Sequence, residues 1–361
     1  MNAAARVQTW IDERFDVEGA LQPLRDKTVP VHRHSHWYFL GGLTLFLFGV
    51  QIATGLLLLL YYRPSASEAY ESVQHIMNRV QFGWLVRSIH SWSANVMVFC
   101  AFAHSFSVAF ARAYRKPREL TWITGVILLF LILGFGFSGY LLPWNTRAYF
   151  ATKVGTEVLG QLPVIGGAIM IFMRGGEDVT SATLTRFFGL HVVVLPAIAV
   201  AMLLSHLLLV QKFGISVPAT VENEWQDRPD LRKETKFFPN FFLRELMAWY
   251  IALAVLIALA TFFPWETGTK VDPFAPAPPG IKPEWYFLAQ FQTLKLIPSH
   301  ILFVDGEVLG ILGFSLGGAL WLGLPFIEAL LGMRGARWVR LGVTLALTYL
   351  AAMSVVGYVA R

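Results

Sequence analysis

The sequence predicts an all-α, polytopic membrane protein: a four-helix bundle joined to three further transmembrane helices. Three observations predict it. The 361 residues are 55% hydrophobic and only 14% charged, with a mean hydropathy of +0.54, a composition that belongs to a membrane chain. Seven apolar stretches, at about 37–62, 89–112, 119–142, 187–211, 243–263, 307–331 and 337–359, are each long enough as helices to cross a hydrocarbon layer about 30 Å thick. Four histidines lie inside two of these stretches, His90 and His104 in the second, His191 and His206 in the fourth. A polar ring at such depth is costly unless something binds it.

Taken in order, residues 1–36 are polar and carry no secretory signal pattern. Val7, Trp10, Ile11 and Phe15 recur at helical spacing opposite Asp12, Glu13 and Arg14, the pattern of a short amphipathic helix lying on a membrane surface. Residues 37–212 hold the bundle. Within them, 144–186 form an excursion in which Val154, Val158, Leu159 and Leu162 mark a surface helix, broken by Pro163 and by Gly166-Gly167. A charged connection with Pro218, Pro229 and Pro239 occupies 213–242, and the three-helix part occupies 243–361. Its first loop is proline-rich from Pro264 to Pro283 and runs into Glu284-Trp285-Tyr286 and a short amphipathic segment ending near Pro298.

The formal charge of +6 does not indicate nucleic acid, because Lys and Arg are distributed among the loops. They report topology instead. The basic residues of the N-terminal tail and of the second loop (Arg112, Arg115, Lys116, Arg118) place those segments and the N-terminus in the cytoplasm, so His90 and His191 fall near the outer side. The single cysteine, Cys100, excludes an internal disulfide and a C-x-x-C-H covalent attachment. Four residues before His104, it reads as a buried packing thiol.

The histidine spacings supply a use for the rings. Fourteen residues separate His90 from His104 and fifteen separate His191 from His206, rises of about 21 and 22 Å. The 15-residue step turns the second pair by roughly 60° on an ideal helix, a mismatch that slight unwinding or a bulge absorbs. Two antiparallel helices then oppose His90 to His191 and His104 to His206, and two rings gripping an iron from opposite sides make a six-coordinate haem. Gly41 and Gly55, and again Gly125 and Gly139, repeat the 14-residue interval. Glycine leaves backbone clearance at the depth of a flat porphyrin. Two non-covalent b-type haems are the expectation.

These features, with Gly139-Tyr140-Leu141-Leu142-Pro143-Trp144 and Pro283-Glu284-Trp285-Tyr286, closely resemble the cytochrome b of quinol:cytochrome c oxidoreductase (cytochrome bc) complexes over nearly the whole chain. The 14- and 15-residue intervals and the run Lys116-Pro117-Arg118-Glu119-Leu120-Thr121-Trp122 look like the photosynthetic form, whose haem-bundle and three-helix subunit IV parts are here fused. That form binds an extra haem through a cysteine shortly before the glycine of the first helix. Phe39 takes that place in Trp37-Tyr38-Phe39-Leu40-Gly41, which argues against a covalent third haem. Basic residues that follow the histidines in the family are Ser91, Ser107 and Gln211 here.

The resemblance implies a proton-translocating redox subunit working with a Rieske iron-sulfur protein and a c-type cytochrome, in a homodimeric complex of a bacterial-type inner membrane. One electron from quinol goes to the Rieske protein; the other crosses from the outer haem to the inner. Inward passage over about two-thirds of the apolar core opposes the membrane potential by up to roughly 1.5 kcal/mol per 100 mV, so the inner haem should have the higher reduction potential. Glu284 is the candidate proton acceptor, because an apolar pocket raises a carboxylate into the useful range; a helix-start glutamate after Pro283 is the plainer alternative. Tyr140, Trp285 and Tyr286 are candidates to line the quinol pocket, or interface anchors. Arg87, one turn before His90, either pairs with a haem propionate or snorkels to water.

Two rival readings make distinct predictions. A di-haem conduit between a dehydrogenase and quinone has no use for the segment ending in Pro283-Glu284-Trp285-Tyr286. A transporter relaying protons through histidines predicts no haem absorbance and calls for repeats or interrupted helices. Menaquinol, ubiquinol and plastoquinol all remain open as substrate.

Overall fold

The computed structural model describes residues 2–360, most of them in helices. Helix α1 (Ala3–Phe15) is capped by Asn2, whose side chain accepts from the Ala5 N–H, and α2 (Val17–Asp26) follows it. Val7, Trp10, Ile11 and Phe15 share the exposed face predicted for them, and no residue of α1 is buried by the rest of the chain.

The bundle consists of α3 (Phe39–Leu59), α5 (Gly83–Ala111), α6 (Glu119–Leu141) and the continuous pair α9 (Ser181–Gly189) and α10 (Leu195–Phe213). Helix α3 packs on α5, and α6 on α10. Leu47, Met97, Val98, Leu129 and Leu256 form a buried core between the bundle and the next helix. Much of the outward apolar surface stays bare: Leu56, Phe99 and Leu208 are 60%, 63% and 70% exposed. Such contiguous apolar surface needs a lipid partner. The second span begins six residues earlier than its apolar run suggests, at Gly83, where Ser88 and Arg87 are buried against the loop after the fifth span.

Between α9 and α10 the chain makes one π-helical turn, Leu190–Val194, that contains His191. Pro196 explains it. An α-helix would drive the proline ring into the carbonyl of Val192, and the wider turn relieves the clash. The turn is the local unwinding that a 15-residue histidine interval requires.

One end of the bundle is covered by α4 (Ala69–Asn78), α7 (Thr146–Gly160) and α8 (Gly166–Arg174). Asn145 caps α7 by accepting from the Ala148 N–H at 2.9 Å, and a Thr180/Thr183 capping box starts α9. Trp144, Tyr149, Phe150, Leu184 and Phe187 are buried beneath this cover. Arg174, 3% exposed, donates to the Thr156 hydroxyl and to the Lys153 and Glu177 carbonyls, each at 2.7 Å.

At the other end, β1 (Thr28–Val31) pairs antiparallel with β2 (Lys233–Lys236), burying Val29, with α11 (Ala219–Asp227) alongside in the charged connection. A second ribbon joins β3 (His300–Ile301) to β4 (Val304–Asp305). These two short ribbons are additions to the all-α fold. Four-residue strands paired across some two hundred positions leave no local signature.

The remaining helices are α12 (Phe242–Phe262), α13 (Trp285–Leu296), α14 (Gly306–Leu322), α15 (Leu324–Leu330) and α16 (Gly335–Val359). Among the described residues, six helical segments qualify individually as membrane spans; the stretch predicted as one helix over 307–331 is instead α14 and α15, bent by 74°. Pro325 is the cause. It has no N–H for the Trp321 carbonyl, which accepts the Trp122 indole N–H at 2.9 Å instead. Below the bend, Glu328 is 7% exposed and accepts from Arg112 and from the Tyr114 hydroxyl, tying α15 to the end of α5.

Removing one partner of a buried pair leaves the other uncompensated, at a cost of about 3 kcal/mol. Glu328→Ala should therefore lower the thermal unfolding midpoint in detergent more than the Arg112→Ala/Glu328→Ala double substitution does. Equal losses would show that the pair is not energetically closed.

Candidate haem and quinol sites

The four histidines pair as their spacing predicts at the first level. The ring centroids of His90 and His191 stand 6.5 Å apart at an interplanar angle of 72°, room for one metal ion about 2 Å from a nitrogen of each ring. At the second level, His104 and His206 line one cavity of about 340 Å³, together with Gly41 and Gly125.

Each predicted glycine backs onto one imidazole. A Cβ built at Gly139 would lie 2.6 Å from His191 Cε1; at Gly41, 3.1 Å from His104 Cε1; at Gly125, 3.1 Å from His206 Cε1; at Gly55, 3.4 Å from His90 Cε1. The glycines were expected to clear a porphyrin. In the fold they clear the rings behind it, so that each histidine reaches into the slot from a neighbouring helix's backbone. Gly55 and Gly139 belong to the His90/His191 level, Gly41 and Gly125 to the other.

The ring nitrogens are oriented as well. The Thr54, Ser138 and Thr124 hydroxyls meet Nδ1 of His90, His191 and His206 at 2.8, 3.1 and 3.0 Å. Each hydroxyl hydrogen is engaged by a carbonyl one helical turn back: Val50 at 2.6 Å, Gly134 at 2.8 Å and Leu120 at 2.9 Å. The oxygen accepts from Nδ1–H at His90, and at His191 and His206 the Phe135 and Thr121 carbonyls accept beside it, which leaves Nε2 of these three rings with its lone pair free for a metal. Nδ1 of His104 is buried without a hydrogen-bond partner. At the His104/His206 level the backed rings and the cavity between them fit a b-type haem; at the His90/His191 level the facing rings with their free Nε2 atoms do. Phe39, in the place of the family cysteine, stacks on Phe241 at 4.9 Å and 7°.

Arg87 lies at the predicted place and is buried, so it does not snorkel to water. It is 6% exposed and donates to the Trp265 and Glu266 carbonyls at 2.7 and 3.3 Å, locking the proline-rich loop onto α5.

Glu284 is the N-cap residue of α13, yet its side chain makes no capping bond. Its position is that of a helix-start residue, but its carboxylate is not spent on capping. Burial pushes its carboxyl above the usual carboxylate range, opposed by the nearby Arg147 guanidinium. Tyr140 and Tyr286 are within electrostatic reach of it. Tyr286 lies against the backbone of Gly136, where an added Cβ would come within 2.6 Å of its hydroxyl, so the cluster sits one turn of α6 from Gly139 and His191. Trp285 is turned aside: it is 39% exposed and donates from Nε1 to Asn95 Oδ1 at 2.8 Å. Pro283 is half-buried at the end of the loop. Arg147 and the three hydroxyls were not anticipated. Thr54-Gly55, Thr124-Gly125 and Ser138-Gly139 do repeat a hydroxyl-glycine pair in the sequence, but only the fold connects each pair with a histidine.

Comparison with known proteins accords with this arrangement. The family model described as "Cytochrome b/b6/petB" matches residues 24–214, and "Cytochrome b(C-terminal)/b6/petD" matches 270–360. The chain is 50% identical over 324 residues to a cytochrome bc complex cytochrome b subunit of Chlorobaculum thiosulfatiphilum, covering 89% of this chain and 73% of that protein. It is 45% identical over 213 residues to cytochrome b6 of Synechococcus elongatus, covering 59% of this chain and 99% of the relative. A solved structure titled hyperthermophilic respiratory Complex III superposes with a TM-score of 0.80 at 29% identity, covering 97% of this chain and 98% of that one. The chain therefore belongs to the cytochrome b/b6 family, as the multi-pass membrane redox subunit of a quinol:cytochrome c oxidoreductase whose b6-like and subunit IV-like parts are fused in one polypeptide.

Proposed function

We propose that this subunit oxidises a membrane quinol beside Glu284 near the outer face, delivers one electron to a quinone site at its His104/His206 end, and so couples the reaction to proton translocation. The observation that carries the proposal is the stacking of three chemically distinct stations along one bundle. The carboxylate cluster lies one helical turn from the first histidine pair, which lies one 14-residue step from the second. Two b-type haems, held by His90 with His191 and by His104 with His206, supply one-electron carriers at two depths.

The chain's own residues do the rest. Glycine backbones behind all four imidazoles, and hydroxyl acceptors at three of them, hold the rings toward the slots. Glu284, desolvated and free of capping bonds, accepts a proton from a quinol hydroxyl, and Arg147 favours its charged form. Tyr140 and Tyr286 wall the pocket; Trp285 packs at its rim. The second electron goes to a Rieske iron-sulfur protein and on to a c-type cytochrome. The complex is a homodimer in a bacterial-type cytoplasmic membrane with the N-terminus inside, where α1 lays its apolar face on the bilayer surface.

The sign of the pH dependence follows from the raised Glu284 carboxyl. Only the deprotonated form accepts a proton, so quinol oxidation should accelerate as pH rises through its elevated pKa. Glu284→Gln should slow the reaction about 100-fold and remove that limb of the pH profile while both b-haem bands persist. An unchanged rate and profile would reject Glu284 as the acceptor.

The glycine contacts predict a graded series in haem content. Gly139→Ala, the tightest, should empty the outer site, whereas Gly55→Ala, at ordinary contact distance, should retain it. A haem count per chain checks this, and equal retention in both variants would contradict the packing described.

A further inference from the structure

Three of the four candidate ligands share one device, and the fourth lacks it. The residue preceding the backing glycine is Thr54, Ser138 or Thr124, and its hydroxyl accepts from Nδ1–H of His90, His191 or His206, joined at the last two rings by the Phe135 and Thr121 carbonyls. The corresponding residue before Gly41 is Leu40. No hydrogen-bond partner reaches Nδ1 of His104, although the atom is buried. The outer level therefore has two hydroxyl-bonded imidazoles and the inner level has one.

This asymmetry has an electronic consequence. An imidazole whose Nδ1–H is held by an acceptor is the more basic at Nε2 and the better donor to a metal. A better donor stabilises the ferric state over the ferrous, and axial-ligand hydrogen bonding is one of the levers a protein has on haem potential. We propose that Thr54, Ser138 and Thr124 are positioning residues that set the two haem potentials apart, lowering the outer one relative to the inner because Leu40 withholds the fourth hydrogen bond. The gradient so produced runs inward, the direction in which the electron must move against the membrane potential. The inference rests on the reading that the four histidines bind haem, and adds to it which neighbours tune them.

The test is a mediated redox titration of the purified complex, following the two b-haem bands separately. Thr54→Val and Ser138→Ala together should raise the outer ferrous/ferric ratio about tenfold at fixed potential, a positive shift of about 59 mV for one electron. Thr54→Ser, which keeps the hydroxyl, should leave the potential in place. Leu40→Thr supplies the missing acceptor while keeping every native bond, and should lower the inner potential by a fraction of that amount without moving the outer one. If the removal variants bind no outer haem, Leu40→Thr alone decides. Both bands present with an inner potential unmoved or raised in Leu40→Thr would overturn the inference and leave the haem reading intact; no haem bands in the native complex would overturn that reading itself.

Discussion

The structure depends on one constraint: an imidazole inside an apolar bundle must present Nε2 to a narrow slot while its other nitrogen and its back are accommodated by the helices. An unpaired polar atom in hydrocarbon is costly. The fold answers with a repeated unit in which glycine backbone lies behind the ring and, at three of four positions, the preceding hydroxyl satisfies Nδ1. The hydroxyl's own hydrogen returns to its helix, so no donor is stranded at those three positions; Nδ1 of His104 is the exception.

That unit dictates the larger geometry. Backing glycines 14 residues apart on α3 and α6 set the vertical interval, and the histidine helices must match it. Helix α5 does so with an interval of 14. On the other histidine helix the interval is 15, and the π turn over Leu190–Val194 absorbs the extra residue. Pro196 makes this turn a property of the local sequence, with no dependence on a bound group. The proline-rich loop is then fixed by Arg87 and Ser88 of the same helix that carries His90, which brings Glu284 to the outer pair.

Local signals were therefore strong where periodicity governs and weak where distant segments meet. The spans other than 307–331, the histidine pairing and the need for some unwinding between His191 and His206 follow from spacing along one helix. The bend between α14 and α15 was written in Gly323 and Pro325, but an uninterrupted apolar run hides it from hydropathy. The role of the glycines was legible only in outline, because which ring each one backs depends on how α3 meets α5 and how α6 meets α10. Arg87 illustrates the same limit: spacing along the helix does not reveal that its guanidinium also holds loop carbonyls nearly 180 residues away. The β1/β2 ribbon and Arg147 beside Glu284 are likewise products of long-range approach.

The central claim is that four histidines hold two haems without a covalent bond to the chain. Acidified-acetone extraction of the purified complex, separating this subunit from any c-type cytochrome and counting haem by its pyridine spectrum, tests it most directly. The account predicts two extractable b haems per chain and no haem left on the polypeptide. One haem, none, or a haem that stays attached would contradict it.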